Sequence, residues 1–108
     1  MANTNARKLI DWQKTGANLL GLRNDNLQLR RYVCRELGAG GEVCAPSCAD
    51  CKFELDDKIS RAELALVIGV SENTVMEWES GNTPVSLEEM LFYCQMAAVD
   101  LTEIVVYR

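Results

Sequence analysis

The sequence predicts an all-α fold, a compact domain of five helices with a cysteine-cluster insertion between the first two. Three observations carry that prediction. Residues 60–81, SRAELALVIGVSENTVMEWESG, read as two short helices joined by a tight turn. Ser60, Ser71 and Ser86 each stand as an N-cap directly before a helical pattern. A chain of 108 residues with 48% hydrophobic content is long enough to bury one core without disulfides.

Taken in order, residues 1–16 read as an N-terminal arm. Its one amphipathic piece, residues 6–14, carries Leu9, Ile10 and Trp12, and Gly16 ends it. Residues 17–108 make the helical domain. A first long helix is expected over 17–37 with Leu22, Leu29 and Val33 inward; Gly21 and the run Asn24-Asp25-Asn26 weaken it and allow a break. Gly38-Ala39-Gly40-Gly41 stops that helix and opens the insertion, residues 38–58. In the next helix, Glu63 completes a capping box with Ser60, and Leu64, Ala65 and Ile68 fall on one face. Gly69 supplies the positive φ of the turn. Ser71 then opens a helix with Val75 and Trp78 inward. Pro84 and Ser86 mark a loop and the start of a fourth helix over 87–98, with Leu87, Met90, Leu91, Cys94 and Ala97 or Ala98 buried. Asp100 caps a last short helix over 101–105, and Leu101, Ile104 and Val105 close the core.

Ala65, Gly69 and Val75 are a small residue, a turn residue and a β-branched plug at offsets suited to two closely packed helices. With Trp78-Glu79-Ser80-Gly81, Pro84, Ser86-Leu87 and Val99-Asp100-Leu101, they resemble the helix-turn-helix of the XRE or lambda-repressor-like family. The resemblance covers about the last fifty residues well and the first helix loosely. It implies a lambda-repressor-like DNA-binding domain whose second motif helix enters the major groove. Matching positions put Ser71, Glu72, Asn73, Thr74 and Glu77 at base edges, with Arg61 and Ser80 on the phosphate backbone. Asn73 has the chemistry to pair with adenine, Glu72 or Glu77 to accept from the cytosine amino group, and Thr74 to meet a thymine methyl or a phosphate. Glu79 is expected to hold the following loop. The implied function is an XRE-type transcriptional regulator bound to double-stranded DNA. It would act as a homodimer, because one small module buries little surface. Residues 101–107, or Leu9, Ile10 and Trp12 of the arm, are the candidate dimer contacts.

Cys34, Cys44, Cys48 and Cys51 follow one another with nine, three and two intervening residues. Four thiolates in tetrahedral array suit a structural zinc ion that staples the first helix to the entry of the second. The same set would serve an iron–sulfur cluster, a thiol sensor, or simply a small apolar filling. No histidine occurs in the chain, so mixed Cys/His ligation is excluded. Cys94 reads as a core residue.

The formal net charge is -5. Residues 1–35 carry seven Arg or Lys against two Asp, whereas residues 36–108 carry four against fourteen Asp or Glu. Phosphate contacts supply most non-specific DNA affinity. Arg7, Lys8, Lys14, Arg23, Arg30, Arg31 and Arg35 therefore stand as backbone contacts, or as partners of the acidic remainder. The acidic motif also suits a protein-binding adaptor or antitoxin-like partner built on the same fold, and a labile cluster would make a metal- or redox-responsive regulator. Without histidine, a Gly-rich phosphate loop or paired catalytic carboxylates, an enzyme is not expected. No apolar run of membrane-spanning length and no signal-peptide core occur, so a cytoplasmic protein is expected.

Overall fold

A computed structural model describes residues 9–37 and 59–108. Among them are five α-helices: α1 (Trp12–Asp25), α2 (Leu27–Glu36), α3 (Arg61–Ile68), α4 (Glu72–Ser80) and α5 (Leu87–Ala97). A 3-10 turn, Leu101–Glu103, follows. The architecture is all-α, as expected. No described helix is long and apolar enough to cross a membrane.

The N-terminal half departs from the sequence expectation in three places. Helix α1 starts at Trp12, where the Asp11 carboxylate accepts from the Lys14 N–H at 3.0 Å, and it runs straight through Gly16. A glycine inside a helix costs only about 1 kcal/mol relative to alanine. Here the missing side chain is required. A Cβ at Gly16 would overlap the Trp78 carbonyl oxygen and stand 2.7 Å from that of Glu79, so Gly16 lets α1 and α4 touch backbone to backbone. The arm boundary at residue 16 therefore falls inside a helix. Second, the helix over 17–37 breaks where the run Asn24-Asp25-Asn26 allows it, giving two helices. Asn26 leaves the helical region at φ -84° and ψ 116°, and its side chain accepts from the Leu29 N–H at 2.8 Å, capping α2 as α1 ends. Third, residues 38–58 consequently connect α2 to α3 rather than the first helix to the second. The glycine stop lies outside the described residues.

Helix α1 packs on α4, α2 on α5, and α3 on α4. The core between them contains Leu19, Leu29, Val33, Leu64, Val75, Tyr93 and Ile104, all fully buried. The serine caps close as the sequence requires. Glu63 N–H donates to Ser60 Oγ at 3.1 Å and Ser60 N–H to Glu63 Oε1 at 2.9 Å, while Ser71 and Ser86 cap α4 and α5 at 3.1 and 3.2 Å.

Helix α5 keeps part of the expected face, Met90 and Ala97, but buries Tyr93 and Met96 in place of Leu87 and Leu91. Met90, Tyr93, Met96 and Ala97 are buried, whereas Leu87 and Leu91 are 60% and 50% exposed. Tyr93 sets this phase, because its ring meets Trp78 edge-on with centroids 6.3 Å apart. Helix α5 ends at Ala98 in the left-handed region, φ 56°. The expected helix over 101–105 shrinks to the 3-10 turn, because beyond it the chain extends to pair with the other end. Asp11 N–H donates to the Val106 carbonyl at 2.7 Å, Arg108 N–H to that of Leu9 at 3.0 Å, and Ile10 and Tyr107 form an antiparallel bridge. Buried Thr15 Oγ1 accepts from Val106 N–H at 3.0 Å, and Asn18 Nδ2 donates to the Ile104 carbonyl at 2.9 Å. The two segments that the sequence offers as dimer contacts are thus paired with each other inside one chain.

Candidate nucleic-acid interface

Gly69 makes the turn that exposes α4. It sits at φ +91° with its N–H donating to the Ala65 carbonyl at 2.8 Å, a conformation that favours glycine because it lacks a Cβ. The chain then re-enters a helix after only two residues. Val75 and Trp78 plug α4 into the core, so its first turn faces outward with Ser71, Glu72 and Asn73 exposed.

Glu79 holds this unit in place. Its carboxylate is 2% exposed and accepts a fork from Arg23, Nε to Oε2 at 2.6 Å and Nη2 to Oε1 at 3.1 Å. Arg61 Nε donates to the same Oε1 at 3.0 Å, and Arg23 Nη1 reaches the Ile59 carbonyl at 2.7 Å. One carboxylate thereby ties α1, the entry of α3 and α4 together, a geometry in which charge-assisted bonds are strong. Arg23 is accordingly an internal clamp at 10% side-chain exposure rather than a phosphate contact. Glu79 does not hold the loop after α4. Glu77 does so, accepting Thr83 Oγ1 on its carboxylate at 3.2 Å and the N–H groups of Asn82 and Thr83 on its carbonyl. Beside this network lies the Tyr93 hydroxyl, buried and without a hydrogen-bond partner among the described residues. Burial pushes the Tyr93 phenol above its ordinary value; the Glu79 carboxylate adds to the rise and Arg23 opposes it.

The residues marked in the sequence separate into two groups. Arg61, Glu72 and Asn73 come together with Met76 around a shallow depression of about 220 Å³. Arg61 keeps 41% side-chain exposure, so its outer nitrogens remain accessible while Nε is tethered. The other four spend their polar groups on hydrogen bonds within α4 and its loop. Ser71 and Thr74 bond each other through their hydroxyls at 2.8 Å, and Ser80 Oγ donates back to the Met76 carbonyl at 2.9 Å. That leaves Ser80 no donor for a phosphate in this rotamer. Glu77 is half-buried at the loop.

Residues 54–108 match the Cro/C1-type HTH DNA-binding domain. The chain belongs to that family. The matched stretch contains α3, α4, α5 and the C-terminal turn, and α1 and α2 of this Cro/C1-type protein precede it. No curated protein and no solved structure matches the chain. Sequence reasoning overlooked Met76, because a methionine at helical spacing usually belongs to a core; only its 39% exposure reveals it.

Of the cysteine cluster, Cys34 is buried on α2, and Cys44, Cys48 and Cys51 lie outside the described residues. Among the described residues no group of three or more His, Cys, Asp or Glu can hold a metal. Cys94 is half-buried and packs against the core; burial raises its thiol above the ordinary value, with the Asp100 charge adding to it.

Proposed function

We propose that this chain is a sequence-specific transcriptional regulator of XRE type that reads double-stranded DNA with the first turns of α4. The observation that carries the reading is that Glu72 and Asn73 of α4 stand exposed beside Arg61 of α3, while the opposite side of α4 is locked by Val75, Trp78 and the buried Glu79 clamp. A rigid base beneath an exposed amide is what base readout needs, since phosphate contacts position and edge contacts specify. Burial of Glu79 between two guanidinium groups also removes one of the motif's four acids from the surface. The protein acts in the cytoplasm as a homodimer. Leu9 and Tyr107, 59% and 67% exposed at the paired chain ends, are the apolar surface left over from the two candidate contact segments. Cys34, Cys44, Cys48 and Cys51 hold a structural zinc ion in this proposal, on the strength of their spacing and of the buried position of Cys34.

The test is selection from a random duplex library with the full chain, with metal analysis of the same sample. Two half-sites about 10 base pairs apart are expected. Asn73→Ala should weaken the selected site by about 1–3 kcal/mol while leaving random DNA nearly unaffected. The sample should be colourless with one zinc per chain; brown protein with visible absorbance assigns an iron–sulfur cluster instead. A selection that returns no enriched sequence shifts the reading to a protein-binding adaptor, for which the carboxylates of Glu72 and Glu77 would face a basic partner.

A further inference from the structure

Met76 is an apolar side chain left uncovered at the centre of the reading face. It lies one turn after Glu72 and three residues after Asn73, spacings that put all three on one side of α4. Its neighbour Val75 is fully buried, yet Met76 is 39% exposed and lines the depression beside Arg61, Glu72 and Asn73. Packing among the described residues does not account for it.

We infer that Met76 is a specificity-determining contact that packs on the 5-methyl group of a thymine, while Asn73 takes an adenine in the same or the adjoining base pair. The inference rests on the reading of α4 as a major-groove helix. In that groove the thymine methyl is the one apolar group that a base pair presents, and Asn pairs bidentately with adenine N6 and N7. Residues three apart on a helix stand about 5–6 Å apart at Cβ, comparable with the spacing of one to two stacked base pairs. The flexible, polarizable thioether is suited to following a methyl group whose position shifts with local DNA shape. The remaining groups act against guanine. Helix α4 carries no Arg or Lys to meet guanine O6 and N7, Arg61 is tethered through Nε to Glu79, and the Glu72 carboxylate repels both of those acceptors. The same carboxylate accepts from the amino groups of adenine or cytosine. The expected half-site core is therefore a thymine adjoining adenine or cytosine.

The experiment uses the full chain and the duplex enriched by selection, with each thymine replaced in turn by deoxyuridine, which lacks only the methyl group. Wild-type protein is expected to lose about fourfold in affinity at one thymine, the worth of a single carbon returned to water. Met76→Ala should bind the parent duplex more weakly and show no further loss at that deoxyuridine. Met76→Leu, which keeps an apolar side chain on a surface helix, should retain part of the penalty. If no deoxyuridine weakens wild type, or if Met76→Ala keeps the full penalty, the Met76 assignment fails while the DNA-reading function stands. If selection enriches no sequence, both fall.

Discussion

Glu79 shows how one residue can be surrounded by the wrong-looking chemistry and still be structural. A carboxylate at 2% exposure is costly to bury unless its charge is matched, and here two guanidinium groups match it from different helices. Its main partner, Arg23, is 56 residues away in sequence, so local patterns around Glu79 carry no trace of the pairing. The two arginines are not equivalent. Arg23, 10% exposed, is a bidentate fork that also satisfies the Ile59 carbonyl, whereas Arg61 is half in water and gives one bond. Glu79→Ala strands two positive charges, one of them only 10% exposed, and should lower stability by about 3–5 kcal/mol in urea denaturation. Arg61→Ala leaves the fork intact and should cost no more than about 1 kcal/mol. Equal losses in the two variants would contradict this order.

At the scale of elements, what was legible depended on how local the deciding interaction is. Helices α3 and α4 and the turn between them follow from caps three residues long and from Gly69, and they form where the sequence put them. Asn26 ends one helix and caps the next, yet from sequence alone it only weakens a continuous pattern. Helix α5 was legible in extent and only partly in orientation, since Met90 and Ala97 are buried as expected while Leu87 and Leu91 are not. Leu87, Met90, Leu91, Phe92, Tyr93, Cys94, Met96 and Ala97 leave almost no polar side, so periodicity cannot choose a face. Tertiary contact with Trp78 chooses it, and drives the Tyr93 ring into the core with its hydroxyl unpartnered among the described residues. That placement has a pH signature. The folded phenol is raised above 10.0, so the contribution of Tyr93 is fully present below about pH 10 and is lost as pH rises beyond it, where the unfolded chain ionises first. Tyr93→Phe should match wild-type stability at pH 7 to within about 1 kcal/mol, since no hydrogen bond is broken. Chemical denaturation repeated between pH 8 and pH 11, a range set by the ordinary tyrosine value of about 10, should show the variant keeping stability that wild type sheds; parallel curves would refute the assignment.

For the whole molecule, the family match accounts for residues 54–108, and the exposure of Glu72 and Asn73 beside Arg61, the face proposed to read DNA, was legible because it follows from their position just after the turn. What could not be read is how the first residues close the domain, because every contact involved joins opposite ends of the chain. Thr15 and Val106 are 91 residues apart, Asn18 and Ile104 are 86 apart, and the Ile10–Tyr107 bridge spans nearly the full sequence. Residues that look like an arm are thus the floor under α4: Trp12 packs against the core, Thr15 is fully buried, and Gly16 admits the backbone of Trp78 and Glu79. Arg23, the forked partner of Glu79, sits on the same helix and depends on it for its position. A chain starting at Ala17 keeps the entire family-matched stretch but loses the Asp11 cap, the first turn of α1, and the partners of Val106, Tyr107 and Arg108. Four or more backbone and side-chain hydrogen bonds would go with them, at about 1 kcal/mol each, together with the burial of Trp12. Against a typical domain stability of about 5–15 kcal/mol this is a large fraction. The truncated chain should melt far below the full one or without a cooperative transition by circular dichroism, and it should lose operator binding even though Arg61, Glu72, Asn73 and Met76 are all present. A cooperative melt within a few degrees of the full chain would return residues 9–16 to the status of an arm.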